Sequence, residues 1–499
     1  MNRCPHLTVL TALMASLFAA ALTACGPSDR LHFRTLAPPT FSDSAVRYDT
    51  DRDGRADFQF SLDRSADRLD ELAYDDNQDG QPDRRYRLSD YPNDQVPHLI
   101  VLIDSIPFFA IVERLRGKPH SVLHAFYPPA KVIAPYPSMS AVCFTDILRA
   151  PPMPGPINRH YDPRPQHRRV NNLIRKRFAG YRNPWQQRLH YNIDYRDNGT
   201  AFLMPRPWLH AEFERARLAF DESPDRTTVI YIASSASMLF KYQHAGLEEA
   251  LDELERFVLQ VLYERRGAVK ISIASDHGHN LAYSTWLDIE QNLRDAGYRP
   301  TDRPRKPGDV HLEMDGLLTW FGVHTDRPAE VADALLARQP HLETFSYVEG
   351  HAVIVRSHLG RATVTLDERQ RFTYSPDSAD VLGLGSELSG VPLTRDQWLA
   401  RTADHPFPDA PPRLWDAFHR GTRNVPQLMA TLQDGYCAGI EWFQWFVTPH
   451  STHGGLNQIN SAAFAMTMRQ PIPGPLRSRD VLAAFDPEYV PRLVSPPRR

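Results

Sequence analysis

The sequence lacks an excess of charge of either sign, and it has few cysteines and few long apolar runs. Its 57 lysines and arginines nearly balance its 60 aspartates and glutamates, which gives a net charge of -3. No global basic field is present to attract nucleic acid, and no acidic excess indicates a solvating tail. With 42% hydrophobic residues, the composition excludes a wholly disordered chain and a multi-span membrane protein. The length of 499 residues allows two or three domains, or one large α/β unit with insertions.

The one marked apolar run lies at the N-terminus. Arg3 precedes it, and Leu7 to Leu22 has the length of a secretory hydrophobic region, shorter than a membrane span normally requires. The segment LTAC, which ends at Cys25, resembles the lipobox of bacterial lipoproteins, in which the cysteine is acylated and becomes the N-terminus. We therefore expect a signal peptide at 1–24, lipidation of Cys25 and a tether at 25–44. The expected location is the cell envelope, on the periplasmic face or the outer membrane. An ordinary signal peptide with a chance cysteine is the alternative.

Two cysteines remain for the folded part of the chain, Cys143 and Cys437. An oxidising compartment would allow them to form a disulfide, but the sequence does not give their separation. Two buried free thiols are the other interpretation, and both stay open at this point.

Two short acidic loops share one spacing pattern. Residues 49–57 have acids at loop positions 1, 3, 5 and 9 and glycine at position 6, and residues 75–83 repeat this with asparagine at position 3. Alternate side chains on a tight loop can converge on calcium, which prefers six to eight oxygen ligands. Position 12 is Phe60 or Tyr86, so the EF-hand glutamate is missing, and the loops resemble the shorter repeats of thrombospondin type 3 and dockerin-like modules. A pair of acidic turns without an ion is the alternative. The expected calcium ligands are Asp49, Asp51, Asp53, Asp57, Asp75, Asn77, Asp79 and Asp83.

The middle of the chain alternates between strand and helix patterns. Nearly continuous apolar runs at 96–103, 228–233 and 269–274 predict central strands of a parallel sheet. Helices are predicted from Ile106 to Leu115 and, from the spacing of apolar residues, across Leu247 to Val261. This alternation predicts an α/β fold.

Polar clusters follow two of these runs, at the carboxyl ends of the predicted strands. Asp104 and Ser105 follow the first run, and Asp276 and His277 follow the third. Ligands of open α/β sheets bind at this edge. Aspartate and histidine suit zinc, and a serine hydroxyl beside a metal can attack phosphorus or sulfur. Each pair alone is as typical of a helix cap or a turn, but their shared position predicts metal-assisted ester hydrolysis.

Four segments together resemble the alkaline phosphatase superfamily, and within it the type I phosphodiesterase/nucleotide pyrophosphatase branch. They are VLIDSIP at 101–107, APYPSMSAVCFTDIL at 134–148, ASDHGHN at 274–280 and STHGGL at 451–456. The resemblance implies a sheet sandwiched by helices and a hydrolase with two metal ions. It also implies that Ser105 is the nucleophile and binds metal, and that residues 137–140 form a structural loop near it. The implied ligands are Asp104, Asp276 and His277 for one metal and His453 for the second.

One departure from the family pattern concerns the second metal. The family has an aspartate and, four residues later, a histidine after the strand that begins near Tyr231, but this chain has Ala236 and Phe240 there. Neither side chain binds zinc. We therefore expect one zinc-like ion, with His453 alone remaining at the second position.

The resemblance also implies a domain organisation. We expect an acidic calcium-loop module at 45–92, core parts at 93–300 and 431–499, and an inserted α+β cap at 301–430. Within the cap, Glu313–His324 and Phe345–Arg356 predict strands around a helix at Pro328–Arg338, and Gly360–Tyr374 predicts a hairpin.

Three functions of different classes follow from these patterns. The first is a lipid-anchored hydrolase of phosphoric or sulfuric esters, with zinc or a similar ion, calcium, a membrane anchor and a small anionic substrate. The second is a pseudoenzyme or binding protein on the same fold, which Ala236 and Phe240 favour. The third is a calcium-dependent adhesion protein whose α/β domain is a scaffold.

Overall fold

The computed structural model describes residues 33–42, 45–63, 68–157, 160–162, 182–193, 200–314, 316–439 and 451–494. The expected signal peptide and the lipidated Cys25 lie outside these residues. The described chain is a mixed α/β protein with several sheets, as the strand and helix patterns predict. No helix in these ranges is both long and apolar enough to cross a bilayer.

The first sheet is antiparallel and carries the two acidic loops. Its strands follow one another in chain order, and one loop joins the second strand to the third while the other joins the fourth to the fifth. Phe33, Phe58 and Tyr74 pack around the ring of Tyr263, which belongs to a long helix of the next layer, and Tyr48 packs against Phe33. The strands are β1 (Thr40–Phe41), β2 (Ala45–Tyr48), β3 (Phe58–Asp63), β4 (Arg68–Tyr74) and β5 (Arg84–Arg87).

The central sheet has six strands and contains the three predicted apolar runs. Those runs form β6 (His98–Ile103), β8 (Thr227–Ile232) and β9 (Lys270–Ser275), which confirms the predictions to within two residues at each end. The sheet also contains β7 (Ala130–Ile133), β22 (Ala462–Thr467) and β23 (Leu476–Arg477), in the order β23-β7-β22-β9-β6-β8. Strands β8, β6 and β9 are parallel, whereas β22 runs antiparallel to both of its neighbours.

Helices cover both faces of this sheet. The odd-numbered residues of β6 pack with the helices Phe108–Gly117, Pro205–Glu222 and Ser234–Glu264. Its even-numbered apolar residues pack with the helices Ser140–Ile147 and Val481–Phe485. Side chains of a strand alternate between its two faces, so a strand buried on both sides must be apolar throughout. This explains the unbroken apolar run in the sequence.

The long helix Ser234–Glu264 begins earlier than the periodicity predicts. It contains a kink at Gln243, whose φ is 51° and ψ is -126°. The backbone returns so closely after the kink that a Cβ on Gly246 would lie 2.1 Å from the carbonyl oxygen of Met238. The apolar pattern from Leu247 onward therefore predicts only the part of this helix that follows the kink.

A nine-stranded sheet and a three-stranded sheet complete the described chain. The nine strands fall within 299–432 and have the order β11-β12-β14-β20-β15-β16-β17-β18-β19. The small sheet joins β10, β21 and β13. The bounds are β10 (Thr285–Trp286), β11 (Arg299–Pro300), β12 (Asp309–Glu313), β13 (Leu317–Leu318), β14 (Trp320–His324), β15 (Leu342–Glu349), β16 (Ala352–Ser357), β17 (Gly360–Leu366), β18 (Arg371–Pro376), β19 (Leu393–Thr394), β20 (Leu428–Leu432) and β21 (Tyr436–Gly439).

The predicted helix and hairpin of this region are confirmed, whereas each predicted strand falls on more than one: Glu313–His324 starts at the last residue of β12 and includes β13 and β14. The helix is Pro328–Leu336, and Gly360–Tyr374 is the expected hairpin. The run Phe345–Arg356 spans two strands, because Gly350 adopts φ +59° and turns the chain between them. The remaining helices are Ile289–Asp295, Arg395–Thr402, Ala410–His419 and Gln458–Ser461. Cys143 and Cys437 are buried free thiols, so the structure contains no disulfide between them.

Candidate metal centre

Asp104 and Ser105 lie at the carboxyl end of β6, where the chain turns toward the helix Phe108–Gly117. Both residues are buried, and Ser105 adopts φ +66°, a left-handed conformation that is strained for serine. The hydroxyl of Ser105 donates to Oδ1 of Asp104 at 2.8 Å, and its backbone N–H donates to Oδ1 of Asp276 at 3.0 Å. The Asp276 carboxylate therefore holds the backbone of Ser105 in place.

Asp276 and His277 lie at the carboxyl end of β9, the strand beside β6. Both are fully buried. The glycine after them is required by packing, because a Cβ on Gly278 would lie 2.1 Å from the carbonyl oxygen of Ile459. The N–H of Gly278 donates to the carbonyl of Asn460 at 3.0 Å, which ties this turn to the segment that follows His453.

These side chains converge on one point. Asp104, Asp276 and His277 each offer a ligand atom, and the three atoms lie within 4.8 Å of one another. Nδ1–H of His277 donates to the carbonyl of Gly278 at 2.9 Å, which leaves the lone pair of Nε2 for a ligand. Oδ2 of Asp276 is buried and has no hydrogen-bond partner among the described residues. The set of donors fits a divalent cation such as zinc.

His453 lies beside this set. Its ring stacks on that of His277, with centroids 4.0 Å apart and planes at 22°. Its Nδ1–H donates to the carbonyl of Ser138 at 3.0 Å, so the lone pair of this ring is on Nε2. The structure thus places His453 next to the three ligands, outside the group whose ligand atoms lie within 4.8 Å of one another.

Three further side chains reach the site, and the sequence motifs do not assign a role to them. Tyr231 donates its hydroxyl hydrogen bond to Oδ2 of Asp104, and Ser140 lies 3.2 Å from Nε2 of His277. His279 donates from Nε2 to the hydroxyl of Ser451 at 2.9 Å, and its ring centroid is 5.6 Å from that of His453. His279 belongs to the quoted DHGHN motif, and Ser140 belongs to the loop interpreted as structural. Their nearness in sequence to predicted site residues was the only signal that could have indicated them.

Ala236 and Phe240 lie on the first turns of the helix Ser234–Glu264. The side chain of Phe240 is buried in an apolar cluster with Leu317 and Cys437. It therefore contributes to apolar packing. Ser235, next to Ala236, donates its hydroxyl to the carbonyl of Asp104 at 2.8 Å, so the start of this helix does border the site.

Burial dominates the electrostatics of the centre. It raises the pKa of Asp276 well above 3.8, and the charge of Asp104 adds to the shift. It lowers the pKa of His277 below 6.5, and it lowers the pKa of His453 to about 3, with His277 contributing. Both imidazoles are therefore neutral at pH 7, the protonation state that binds a metal. Burial also raises the pKa of Tyr231 well above 10, so its phenol remains a donor.

The two acidic loops adopt the same local conformation. Asp49 accepts from the N–H of Gly54 at 2.9 Å, and Asp75 accepts from the N–H of Gly80 at 2.6 Å. The two glycines have φ +90° and +89°, which only glycine adopts without strain. Nε2 of Gln78 donates to Asp51 at 2.6 Å, so the loops touch each other.

The carboxylates of the first loop converge more than those of the second. Ligand atoms of Asp49, Asp51 and Asp53 lie within 4.8 Å of one another, whereas Asp57 accepts from the N–H of Thr50 at 2.7 Å. In the second loop, the carboxylates of Asp75, Asp79 and Asp83 and the amide oxygen of Asn77 accept backbone N–H groups of their own loop.

No protein-family model matches this chain, and no curated protein matches it significantly.

Proposed function

We propose that this protein is a lipid-anchored, metal-dependent hydrolase of phosphoric or sulfuric esters, built on an alkaline-phosphatase-like fold. The observation that carries the proposal is the convergence of Asp104, Asp276 and His277 at the ends of two adjacent parallel strands, with the Ser105 hydroxyl hydrogen-bonded to Asp104. A strained, buried serine tied to two carboxylates, by its hydroxyl to Asp104 and by its backbone N–H to Asp276, is typical of a functional site. The arrangement suits a nucleophile that a cation activates.

The chain would hold one divalent ion through Asp104, Asp276 and His277. The unpartnered Oδ2 of Asp276 and the lone pair of Nε2 on His277 support this assignment. When bound, such an ion would lower the pKa of the serine hydroxyl and offset the negative charge of the reacting group.

The residues of the chain supply the remaining steps. The hydrogen bond from the Asp276 carboxylate holds the Ser105 backbone, and Oδ1 of Asp104 is positioned to take the hydroxyl proton. Oγ of Ser105 then forms a bond to phosphorus or sulfur while the bond to the leaving oxygen breaks, and that oxygen takes a proton from solvent as the alcohol departs. Water subsequently cleaves the seryl ester, and the freed serine oxygen takes back the proton held on Asp104. Tyr231 keeps Asp104 oriented through its own hydrogen bond.

The proposal includes weak or narrow activity. By the resemblance, Ala236 and Phe240 occupy the positions of two ligands of the family's second metal, and neither side chain can bind a metal ion. A second ion normally contributes several kcal/mol to the transition state. Since each 1.36 kcal/mol is about tenfold in rate, its loss costs orders of magnitude.

A panel of chromogenic phosphate and sulfate esters tests this proposal on the purified protein without its lipid. The protein is depleted of metal with a chelator and then assayed with zinc, manganese or magnesium added back. We expect hydrolysis of at least one ester class, dependent on one of these metals. Absence of turnover with every ester and metal would contradict the proposal.

A binding protein on the same fold is the second candidate. The apolar packing of Phe240 favours it, because the chain has lost the family's second site rather than merely weakened it. In that case the protein would bind one metal and an anion without turning over any ester. The same panel, followed by calorimetry with a nonhydrolysable phosphonate, separates the two candidates.

We also propose that the acidic loops bind calcium and that Cys25 carries the lipid. The matching conformations of the two loops and the convergence of Asp49, Asp51 and Asp53 support the first proposal. The lipobox at 22–25 supports the second. The anchor would place the active site outside the cytoplasm, where small ester substrates are accessible.

A further inference from the structure

A cavity of about 470 Å³ lies apart from the metal centre. It is bounded by the segment 133–136, the helix Ser140–Ile147, the helix Ala410–His419 and residues near 477–480. None of Asp104, Ser105, Asp276, His277 or His453 lines it. Its volume is in the range of small-molecule sites in proteins.

The lining of this cavity carries an excess of positive charge. It contains six arginines and four aspartates, so two positive charges are in excess. Most of the aspartates are already paired: Asp416 accepts two hydrogen bonds from Arg395, Asp409 accepts from Arg477, and Asp146 accepts from Arg479. Arg420 lies 3.9 Å from Asp416, whereas Arg149 and Arg413 have no ion-pair partner among the described residues.

Arg413 is a buried cation without a carboxylate partner. It is 5% exposed, and its hydrogen bonds go to neutral oxygens: the carbonyls of Pro408 at 2.9 Å and Leu456 at 2.8 Å, and the hydroxyl of Ser138 at 3.2 Å. No carboxylate of the described chain lies within ion-pair distance of it, and its Nε has no hydrogen-bond partner there. A buried cation without a direct ion pair is costly, and the one carboxylate whose charge acts on Arg413, that of Asp409, is hydrogen-bonded to Arg477. An anion bound in this cavity would offset that cost.

Arg149 and Arg420 are exposed residues of the same lining, and they place positive charge at the mouth of the cavity. No ion-pair partner of Arg149 lies in the part of the chain that the structure describes. An anion entering from solvent would therefore meet Arg149 first and Arg413 deeper in the cavity.

The rest of the lining is apolar, with contributions from Ile133, Val142, Pro152 and Ala417. Inorganic phosphate would fill only a small part of this volume and would leave the apolar part of the lining exposed to water. An organic molecule with one oxyanion group uses both parts of the wall, because its apolar body displaces water while the oxyanion accepts from guanidinium groups.

We propose that this cavity is a second binding site, which takes a small organic phosphate, phosphonate or carboxylate with its oxyanion on Arg413 and Arg149. The site is independent of the proposed hydrolase. Arg413 also connects it to the metal centre, since the Ser138 hydroxyl accepts from Arg413 and the Ser138 carbonyl accepts from His453.

Titration calorimetry on the metal-depleted Asp276→Asn protein tests the proposal without interference from a metal-bound anion. The probes are phenylphosphonate, inorganic phosphate and benzyl alcohol. Phenylphosphonate should bind with a Kd of about 1 mM or below, tighter than inorganic phosphate, while uncharged benzyl alcohol should not bind. Arg149→Glu should weaken phenylphosphonate about tenfold, which is the effect of about 1.4 kcal/mol.

Arg401→Glu is the matched control, because Arg401 is an exposed arginine outside this lining, and it should leave the Kd within about twofold. Arg413→Met should abolish binding. If that variant fails to fold, Arg149→Glu decides the question alone. Equal affinity for inorganic phosphate and phenylphosphonate would contradict the claim that the ligand is an organic anion. Unchanged affinity for phenylphosphonate in Arg149→Glu would contradict the claim that this cavity is the binding site.

Discussion

The imidazole of His453 stacks on that of His277 at 4.0 Å, and each ring is held by a hydrogen bond from Nδ1 to a backbone carbonyl. The two residues come from distant segments of the chain: His277 follows β9, and His453 lies in an irregular segment before the helix Gln458–Ser461. A carbonyl partner on Nδ1 fixes the tautomer in which Nε2 has the free lone pair. The fold thus presents two nitrogen donors side by side, next to the carboxylates of Asp104 and Asp276.

Replacing the serine tests its role as nucleophile. Ser105→Ala should reduce ester hydrolysis at least about a thousandfold, because the variant lacks the proposed attacking oxygen. The variant should retain metal, since the three ligand side chains remain. Ser378→Ala is the control, an exposed serine in the nine-stranded sheet region. Steady-state assays and metal analysis check both statements, and full activity in Ser105→Ala would refute the assignment.

Gly278 should tolerate no side chain. Gly278→Ala places a Cβ 2.1 Å from the carbonyl oxygen of Ile459, so one of the two segments must move. We expect a loss of about 1–3 kcal/mol in the free energy of unfolding and weaker metal binding through displacement of His277. Gly117→Ala is the matched control, because a Cβ there meets nothing within 4 Å. Urea denaturation and metal titration measure the two effects, and equal behaviour of the two variants would contradict the packing argument.

Calcium should stabilise the first sheet. A ligand that binds only the folded state adds about 2.7 kcal/mol at a hundredfold excess over its Kd. We expect the melting temperature to rise with calcium and to fall with chelator, and Asp49→Asn and Asp75→Asn each to reduce this response. Asp326→Asn, at an exposed aspartate outside the loops, should not reduce it. A calcium-independent melting curve would rule out the proposal for both loops.

Stability should depend on pH through Glu343. Burial and then the charge of Asp434 raise the pKa of Glu343 to about 8 from an ordinary value of 4.5. The folded protein therefore binds more protons than the unfolded chain between these values, and its stability falls as the pH rises from about 4.5 to about 8. The expected slope is at most about 1.4 kcal/mol per pH unit from this group. Glu343→Gln should flatten the dependence, as measured by urea denaturation at several pH values. An unchanged slope would show that Glu343 is not the source.

Much of the fold could be predicted from the sequence because its signals are local. Strands buried on both faces require unbroken apolar runs, and β6, β8 and β9 lie where those runs lie. The kink at Gln243 and the early start of its helix could not be predicted, since they depend on the close approach of Gly246 to Met238. The turn at Gly350 has a local cause instead: its φ of +59° reverses the chain between two strands that the predicted run had joined, and a Cβ there would meet nothing within 4 Å.

The sequence could predict those residues of the candidate site that directly follow a strand. Asp104, Ser105, Asp276 and His277 follow adjacent strands, so their convergence follows from topology. Tyr231, Ser140 and His279 reach the site through contacts between distant segments, which no spacing in the sequence encodes. The cavity around Arg413 likewise joins segments far apart in the chain.

The most direct test of the central claim is a crystal structure of the zinc-loaded protein with anomalous data collected at the zinc edge. We predict one zinc peak, bound by Asp104, Asp276 and Nε2 of His277, with Oγ of Ser105 within ligand distance, and no zinc peak beside Phe240. Two zinc peaks in the centre would contradict the loss of the second site. A zinc-free centre in protein that hydrolyses esters with zinc would contradict the proposed mechanism itself.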